Sequence, residues 1–338
     1  MKKIFLSLFV SASIFSFAQK NNNTIIAFWN IENLYDTIND PTIDDEEWLP
    51  TAKSNWNSER YVKKLGNISS IISKIGVEQN TDGAAIIGLA EIENKSVLED
   101  LVKMPKINSR KYEIVQYNSP DKRGIDVAFL YNPKYFTLSS SSVHTVKLPG
   151  DSALPTRDQL LVNGKLNGEL VHILVCHWPS RRGGEEESKI NRITAAKVAK
   201  GIVDSIRSAE KNAKIIVMGD LNDDPKDESI KNTLVTSEDA NKSDKKTMFN
   251  PMETILAGGQ GTLSHKGKWN LFDQIIITES IAKKQKGNYY FKSAHINNYP
   301  EVQETNPKYL GQPFRTYAGS KYLGGYSDHF GVYIVLTK

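Results

Sequence analysis

Short uninterrupted runs of apolar residues, followed by polar side chains, recur along the chain. The clearest run covers residues 215–218 and is typical of a strand buried on both faces. Gly219 ends the run, and Asp220 and Asn222 follow at positions i and i+2, a spacing that predicts both side chains on one side of the strand end, facing solvent. A carboxylate there can take a proton from water, and an amide can hold that water or an oxyanion. A simple strand-to-loop turn would also use Asp and Asn, so this run alone leaves both interpretations open.

The same reading, applied to the whole chain, predicts an alternation of strands and helices. Apolar positions at helical spacing predict helices at residues 58–75, 97–102 and 185–208, the first capped by Asn57 or Ser58. Asn-Gly pairs at residues 163–164 and 167–168 predict hairpin turns. Strands are predicted at residues 25–30, 84–90, 112–117, 125–131, 143–148, 156–162, 170–176, 215–218, 274–278 and 330–336.

Polar residues collect just past these predicted strands. They are Asn30, Glu32, Glu91, Arg123, His177, Asp220, Asn222, Asp273, Asp328 and His329. Each has an ordinary explanation alone, and a single histidine at a strand end is more often a core-edge residue than a catalyst. Because ligands of open α/β sheets bind at strand ends, we expect the whole set to form one site.

The N-terminus and the cysteine content indicate an exported protein. Residues 1–18 have the pattern of a signal peptide, with Lys2 and Lys3, an apolar stretch and a small residue at Ala18; a membrane anchor would need a longer stretch without serines. The remaining residues, 19–338, contain no repeat or linker and are predicted to form one domain. Cys176 is the only cysteine, so no internal disulfide is possible. We therefore expect a secreted or periplasmic protein whose hydrophobic core alone stabilises the fold.

Net charge adds little to this picture. Removal of the leader removes two of the 43 Lys and Arg residues. The remaining 41 basic residues and the 39 Asp and Glu residues give the mature chain a net charge of +2. Such a small excess argues neither for nor against a polyanionic partner. An acidic loop at residues 36–57 could hold calcium, but its spacing fits no standard calcium loop and a solvated surface is the better interpretation.

The residue types at the strand ends suit phosphoryl transfer with a hard metal. Carboxylate and amide oxygens are typical ligands of Mg²⁺ or Mn²⁺, whereas a zinc site would use more cysteine or histidine. Neither Gly-x-Ser-x-Gly nor a phosphate-binding loop occurs in the chain, which argues against a serine nucleophile and against nucleotide-driven chemistry. These observations favour hydrolysis of a phosphoester by metal-assisted attack of water.

The motifs also resemble the endonuclease/exonuclease/phosphatase superfamily, which includes deoxyribonuclease I, exonuclease III, sphingomyelinases and inositol-polyphosphate phosphatases. The resemblance covers residues 24–338 and implies the deoxyribonuclease I-like fold, a four-layer α/β/β/α sandwich of two mixed sheets with outer helices. The matching motifs are Trp29-Asn30-Ile31-Glu32, Gly88-Leu89-Ala90-Glu91, Arg123-Gly124-Ile125-Asp126, His177, Gly219-Asp220-Leu221-Asn222, Asp273-Gln274 and Ser327-Asp328-His329.

The resemblance implies a metal site at one side of the strand ends. Glu91 would be the principal ligand of Mg²⁺ or Mn²⁺, and Asn30, Glu32 or Asp328 would assist directly or through water. Whether the site takes one metal or two is left open.

The resemblance implies catalytic roles for the other strand-end residues. Asp220 would activate or orient the attacking water, and Asn222 would hold a phosphate oxygen. His329, oriented by Asp273, would stabilise the transition state.

His177 would contact the phosphate or protonate the leaving group, with Asp126 as a candidate partner. A histidine here, where the abasic-site repair branch has tyrosine, sets the chain nearer the deoxyribonuclease I, sphingomyelinase and inositol-phosphatase branches.

Four arginines are candidates for binding the substrate. Arg123 resembles the phosphate-contacting arginine of the superfamily, whereas Arg181, Arg182 and Arg315 lie outside its general pattern. These three could line the substrate pocket. Arg181 and Arg182 could equally pair with the acidic start of the helix predicted from residue 185.

Three functions compete. We place first a phosphodiesterase or endonuclease acting on DNA or RNA, although no Lys/Arg stripe marks a groove that tracks a nucleic-acid backbone. The second is a phosphatase or phosphodiesterase for a small-molecule or lipid-linked phosphate, which clustered arginines favour. The third, an inactive binding module, would require the loss of a catalytic position, and none is lost. We expect a monomeric enzyme with no stable protein partner and no transmembrane segment in the mature chain.

Overall fold

A computed structural model of the chain describes residues 23–150 and 156–338; the predicted leader, residues 1–18, lies outside these ranges. Within them the α-helices are α1 (Ser58–Ile72), α2 (Lys95–Lys103), α3 (Glu185–Ala209), α4 (Met252–Ala257) and α5 (Glu279–Ala282). The strands there are β1 (Thr24–Leu34), β2 (Ala84–Ile92), β3 (Glu113–Gln116), β4 (Asp126–Tyr131), β5 (Phe136–His144), β6 (Gln159–Leu166), β7 (Glu169–His177), β8 (Ile215–Asp220), β9 (Thr236–Ser237), β10 (Met248–Phe249), β11 (Leu263–His265), β12 (Lys268–Asn270), β13 (Asp273–Ile277), β14 (Tyr290–Asn297), β15 (Tyr317–Ala318), β16 (Lys321–Tyr322) and β17 (Gly331–Thr337).

Two mixed sheets form the body of the fold. The first has the strand order β14-β17-β1-β2-β4-β3, and the second has the order β5-β6-β7-β8-β13-β10-β9. At the centre of each sheet one pair is parallel, β1 with β2 and β7 with β8, and the strands that flank each pair run antiparallel to it. The short pairs β11–β12 and β15–β16 are separate hairpins.

Alternation along the strands builds the layers. In β1, Ile26 and Phe28 face the other sheet, whereas Ile25, Ala27 and Trp29 face the helices α1 and α2. The second sheet is covered on its outer face by α3, whose small and branched residues pack against β7 and β8. Helices therefore cover both outer faces of two packed sheets, and the predicted four-layer α/β sandwich is confirmed.

The helix predictions from the apolar pattern are confirmed to within a few residues. Helix α1 begins at Ser58, and the side chain of Asn57 accepts a hydrogen bond from the Arg60 amide, so Asn57 is its cap. Helices α2 and α3 match the ranges 97–102 and 185–208 closely. Among the described residues we find no helix with the length and hydropathy needed to cross a bilayer.

Two strand-level predictions are wrong. The strand predicted at 143–148 is replaced by β5, which covers Phe136–His144. Strand β5 is rich in exposed serines, so no apolar run in the sequence predicts it. The Asn163–Gly164 pair lies inside β6, and only Asn167–Gly168 turns, with both residues at positive φ. A Cβ on Gly164 would lie 2.2 Å from the ring of Phe136, so this glycine serves close packing between strands. Strand β14, interrupted by polar residues at the edge of its sheet, was not predicted.

Candidate active site

The two central parallel strand pairs, β1–β2 and β7–β8, end at the same edge of the sandwich. Across the second sheet, His177 of β7 is in register with Asp220 of β8, and Asp220 is in register with Asp273 of β13. In the first sheet, Asn30 of β1 is in register with the residue before Glu91. A hydrogen bond from Asn30 Nδ2 to Asp220 Oδ2, 3.0 Å long, joins the two sheets. The register of the strands thus brings the predicted residues together.

Asp220 lies at the centre of this cluster and is only 2% exposed. The expectation that its carboxylate faces open solvent is therefore wrong, because residues from both sheets surround it. Its Oδ1 accepts a hydrogen bond from the Asn222 amide at 3.0 Å, and its Oδ2 lies 3.6 Å from His177 Nε2 and 3.9 Å from His329 Nε2. Burial raises the pKa of Asp220 to about 6, with a smaller contribution from Asp273. A carboxylate with such a pKa is suited to proton transfer near neutral pH.

Asp273 and His329 form a buried ion pair. His329 Nδ1 lies 2.7 Å from Asp273 Oδ2. Burial alone would lower the pKa of His329, but the carboxylates of Asp273 and Asp220 outweigh it and raise that pKa well above the ordinary value. His329 is therefore a positive charge, held with its Nε2 toward Asp220. The Asp273 Oδ1 atom is buried without a hydrogen-bond partner among the described residues.

His177 has the opposite protonation state. Burial lowers its pKa well below the ordinary value, and the charges of Arg157, Arg123 and His329 lower it further. Its Nε2 lies 3.6 Å from Asp220 Oδ2 and 3.9 Å from Glu91 Oε1, while its Nδ1 is buried without a partner in the described part of the chain. The neutral ring can donate one hydrogen bond toward the centre of the site.

Asp126 does not contact His177. Its two carboxylate oxygens accept hydrogen bonds from the Ser119 amide and from Gln116 Nε2, both 2.8 Å long. The candidate pairing of Asp126 with His177 is therefore wrong, because the carboxylate caps the turn that precedes β4.

Four non-glycine residues at or just past the strand ends have backbones in the left-handed region of φ. Glu32, Asn33, Glu91 and Asn222 have φ values of 53°, 51°, 66° and 52°. Such conformations cost about 1–3 kcal/mol each for most residues and persist where the surrounding structure fixes them, which is common at functional sites. Here they turn the polar side chains inward, over the edge where the strands end.

The oxygen donors at the first-sheet side fit a hard divalent cation. Glu91 Oε2 accepts a hydrogen bond from the Asn33 amide, which leaves Oε1 directed toward His177. Burial and then the charge of Asp328 raise the pKa of Glu32 to about 7, although Lys64 Nζ lies 3.8 Å away. A bound cation would relieve this repulsion between carboxylates.

No three His, Cys, Asp or Glu side chains of residues 23–150 and 156–338 come close enough to enclose an ion. A protein site of few ligands suits Mg²⁺, which keeps several of its waters. The residues that would hold it are Glu91, Asn30, Glu32 and Asp328, and this assignment stays a prediction.

Several residues that position the site were not predicted from the sequence. Arg157 is buried beneath His177, where Nε donates to the His177 carbonyl oxygen at 3.2 Å and Nη2 donates to the Trp178 carbonyl oxygen at 2.6 Å. Asp121 Oδ2 lies 3.1 Å from Arg157 Nη1 and balances its charge. No local pattern in the sequence marks this pair, because its members are 36 residues apart.

A second buried pair supports Asn222. Asp223 accepts a hydrogen bond from Arg192 Nε of α3 and one from Ser229 Oγ. Asn222 Nδ2 donates to the Trp178 carbonyl oxygen at 3.0 Å. Asn222 is therefore fixed both through its neighbour and through its own amide.

The contacts of Arg181 match the pairing interpretation. Its guanidinium meets Glu185 at 2.7 Å, as that interpretation expected, and also Asp223 and Asp227, and it stacks on the ring of Phe272. Nε donates to the Asn222 carbonyl oxygen at 3.0 Å. All of these partners are groups of the protein, and none of the contacts directs the guanidinium toward a phosphate. The role of Arg181 in binding the substrate therefore stays a prediction.

Arg123 and Arg315 are both about half exposed. Arg123 Nε is 3.6 Å from Asp121 Oδ1, and Arg315 Nη2 is 2.7 Å from Asp328 Oδ2. Both guanidinium groups can therefore be reached by a substrate.

The loop that carries Arg315, residues 298–328, is attached to helix α1. Lys64 Nζ donates to Thr316 Oγ1 and to the Tyr326 carbonyl oxygen, and Asn67 Nδ2 donates to the carbonyl oxygens of Gly324 and Gly325. We call this segment the late loop. These bonds hold the late loop over the first-sheet side of the site.

Comparisons with known proteins support a family assignment. The model of the Endonuclease/Exonuclease/phosphatase family matches residues 25–338. A search of the curated proteins gives no match.

Solved structures share the fold at low identity. A D. rerio TDP2 complexed with a single strand DNA product is 14% identical, with a TM-score of 0.55, over 94% of this chain and 99% of that one. A Bacteroides thetaiotaomicron endonuclease/exonuclease/phosphatase family protein is 15% identical, with a TM-score of 0.57, over 93% and 97%. The Bacteroides thetaiotaomicron VPI-5482 mannosyl-6-phosphatase Bt3783 is 14% identical, with a TM-score of 0.55, over 93% and 100%. At these identities the likeness shows the fold alone.

Proposed function

The chain belongs to the endonuclease/exonuclease/phosphatase family and is a phosphoester hydrolase, and from this premise we propose that it is a divalent-metal-dependent phosphodiesterase acting on nucleic-acid strands. The observation that carries the proposal is the position of Asp220. Its buried carboxylate, with a pKa of about 6, lies between a neutral His177 and a charged His329. This arrangement suits deprotonation of a water beside a phosphate.

The chemistry would proceed by in-line attack of water on phosphorus. Asp220 accepts a proton from the water as the water oxygen bonds to phosphorus, while the P–O bond to the leaving group breaks on the opposite side and the leaving oxygen takes a proton from solvent. During this step charge develops on the phosphate oxygens. His329, fixed as a cation by Asp273, stabilises that charge, and the side-chain amide of Asn222 can donate to one of the oxygens. Because these donors are held in place before the substrate arrives, they need no reorganisation during the reaction.

His177 contributes a hydrogen bond to the phosphate. A histidine whose pKa is lowered this far is a poor source of a proton for the leaving group, so the low pKa favours the contact role. Arg157 donates a hydrogen bond to the His177 carbonyl oxygen and so fixes the position of the His177 ring.

A divalent cation held by Glu91, with Asn30, Glu32 or Asp328, would supply positive charge for the phosphate oxygens and for the leaving oxygen. Mg²⁺ and Mn²⁺ are the cations that this donor set favours.

A second candidate is hydrolysis of a compact phosphoester. A cavity of about 520 Å³ lies beside Asp328 and Arg315, within the size range of small-molecule sites. A solved structure of this fold is a mannosyl-6-phosphatase. A phosphorylated sugar is therefore the alternative substrate.

Export is part of the proposal. The pattern of residues 1–18 supports delivery through a secretory route to the periplasm or beyond. The test is N-terminal sequencing of the protein recovered from cell fractions. A protein that retains Lys2 and Lys3 and is recovered in the cytoplasmic fraction would contradict export.

The activity test uses purified residues 19–338 with Mg²⁺, with Mn²⁺ and with chelator. The substrates are single-stranded DNA, supercoiled plasmid, bis(p-nitrophenyl) phosphate, p-nitrophenyl phosphate and mannose 6-phosphate. For Asp220→Asn we expect a fall of about 10²–10⁴-fold in kcat, the usual contribution of a general base. Asp204→Asn, on the exposed surface of α3, is the matched control.

The pattern of turnover decides between the candidates. Metal-dependent cleavage of DNA and of the diester that Asp220→Asn abolishes supports the phosphodiesterase. Turnover of the monoesters alone supports the compact-substrate candidate. Equal activity of Asp220→Asn and wild type would refute the role of Asp220.

A further inference from the structure

The cavity beside the active site lies between two irregular segments. One wall is the hairpin of β11 and β12, and the other is the late loop. Both segments lead into the site: Phe330, which follows His329, donates its amide to the Thr262 carbonyl oxygen, and its ring lies 6.0 Å from that of Trp269 on β12. Asp328, next to His329 in sequence, lines the cavity itself. A substrate bound at the strand ends can therefore extend into this space.

The lining carries more cations than its own acids neutralise. It includes Lys266, Lys308 and Arg315 against Glu304 and Asp328. Only the Arg315–Asp328 pair is formed, at 2.7 Å.

Lys266 and Lys308 make no ion pair with any residue of the described ranges. The Lys308 ammonium makes no hydrogen bond within those ranges either, and it lies over the face of the Tyr309 ring, 5.2 Å from the ring centroid. The two unpaired lysines line one cavity together with His265 and outnumber its one unpaired acid, Glu304, so the lining is suited to an anionic group.

The position of Lys266 adds to this argument. It stands with Gly267 at the tip of the β11–β12 hairpin, where both residues have positive φ, at 51° and 79°. Asn, Asp or Gly is usual at the first of these positions. In this chain the first position is instead a lysine, whose long cationic side chain lines the cavity.

The remaining walls are apolar or aromatic, and the space that they enclose has the size of one organic unit. Leu263, Tyr309, Pro313 and Leu323 contribute them, and Ser264 and Gln312 add hydrogen-bonding groups. Within the late loop, the Glu304 amide donates a 2.7 Å hydrogen bond to the Gln312 carbonyl oxygen, which closes this part of the wall. The space suits a sugar or a nucleoside, whereas the two lysines suit a charge carried by that unit.

We propose that this cavity is a specificity subsite that binds the organic unit of the substrate together with a second anionic group, carried one unit away from the scissile phosphate, on Lys266 and Lys308. The second anion could be the next phosphate of a nucleotide chain or the second phosphate of a phosphorylated sugar. The inference rests on the proposed phosphoesterase function and names the class of substrate that the same site prefers.

The test compares substrates that differ only in the second anion. The nucleotide arm uses thymidine 5′-(p-nitrophenyl phosphate) with and without a 3′-phosphate, followed by nitrophenol release. The sugar arm uses glucose 1,6-bisphosphate and glucose 6-phosphate, followed by phosphate release. We expect the doubly anionic member of at least one arm to be preferred by about tenfold in kcat/KM, as two exposed ion pairs would give. Added salt should reduce that preference.

The variant Lys266→Gln/Lys308→Gln should bring the ratio of the two kcat/KM values close to one, mainly through KM. The matched control is Lys165→Gln/Lys211→Gln. It removes the same charge at exposed positions near the ends of β7 and β8 that lie away from His177 and Asp220. The control should keep the preference of the wild type. The arm in which the ratio responds identifies the source of the second anion.

Three results would overturn the subsite. These are a wild-type ratio near one in both arms, a ratio unchanged in Lys266→Gln/Lys308→Gln, or an equal loss in the control. Failure of the proposed function is a different result: no metal-dependent turnover of any ester, including bis(p-nitrophenyl) phosphate, would refute the hydrolase mechanism and the subsite together.

Discussion

The Asp273–His329 pair allows a sharp test of the proposed mechanism, through the substitution Asp273→Asn. The asparagine keeps the size of the side chain and removes its charge. His329 loses the carboxylate that lies 2.7 Å from Nδ1, while Asp220, 3.9 Å from Nε2, remains. The pKa of His329 should therefore fall from its raised value, since burial then opposes the cation with less compensation.

The size of the effect follows from the geometry. A carboxylate at hydrogen-bond distance raises a histidine pKa by about 1–3 units, with each unit equivalent to about 1.4 kcal/mol. If charged His329 stabilises the transition state, the alkaline limb of the kcat/KM profile should move to lower pH by about the same number of units. In the alkaline range of the wild-type optimum the variant should then lose about 10–10³-fold in activity, and less at acidic pH.

Stability gives a second readout with a defined sign. The pKa of His329 is raised in the folded state, so its stabilising contribution is fully present below the ordinary value of about 6.5 and is lost as the pH rises through the folded-state value. Asp273→Asn should thus lower the free energy of unfolding most at acidic pH, measured by urea titration. The control is Asp239→Asn, since Asp239 caps a surface turn. An unshifted pH–rate profile, or a loss of equal size at every pH, would refute the charge-stabilising role of His329.

The other predictions concern the metal, the backbone and a buried acid. Glu91→Gln should raise the Mg²⁺ concentration for half-maximal activity by about 10–100-fold, with kcat partly restored at high Mg²⁺, because one anionic ligand is lost; an unchanged metal requirement would contradict the assignment. Gly219→Ala places a Cβ 2.2 Å from the Cys176 carbonyl oxygen, so it should destabilise the fold by about 1–3 kcal/mol and reduce kcat. The control, Gly201→Ala, lies on helix α3 with open space around it and should stabilise the fold by about 0.5–1 kcal/mol. Equal effects of the two substitutions in thermal unfolding would refute the packing argument. Burial raises the pKa of Asp126 to about 7, so its contribution to stability should be lost as the pH rises from about 4 to about 7, and Asp126→Asn should flatten that dependence in urea titrations; equal slopes in wild type and variant would contradict it.

The sequence predicted those parts of the molecule that depend on local pattern. Helix α1 with its Asn57 cap and the buried strand β8 follow from periodicity and from residues within a few positions of each other. Strands β5 and β14 were misplaced or missed because edge strands bury less apolar surface and show no continuous run. Periodicity records burial, so it reports the centre of a sheet better than its edge.

The candidate site divides in the same way. Asp220 and Glu91 could be named from their place at strand ends, and the register of the sheets then brought them together. Arg157 could not, because its importance comes from the His177 carbonyl oxygen, 20 residues away in sequence, and from Asp121. Lys64 gave no signal either, since it is one of many lysines until the fold buries it beneath the late loop. Groups that react are marked by their type and position, whereas groups that hold them are marked only by contacts distant in sequence.

The burial of Lys64 connects substrate choice to the core of the fold. A buried ammonium is costly unless it is hydrogen-bonded and its charge is balanced; here the late loop accepts its hydrogen bonds, and the Glu32 carboxylate, 3.8 Å away, balances its charge. Glu32 in turn accepts a hydrogen bond from the Thr316 amide at 2.6 Å, so one side chain serves both the predicted metal side and the late loop. Asp220 and His329, the proposed catalytic pair, have other supports: Asp273 of the second sheet holds the His329 ring, and Asn30 of the first sheet donates to Asp220. We therefore expect changes at the exposed lysines of the cavity to alter the choice of substrate, as the proposed subsite requires, without disturbing Asp220 and His329, whereas changes at Lys64 should disturb both the late loop and the predicted metal side.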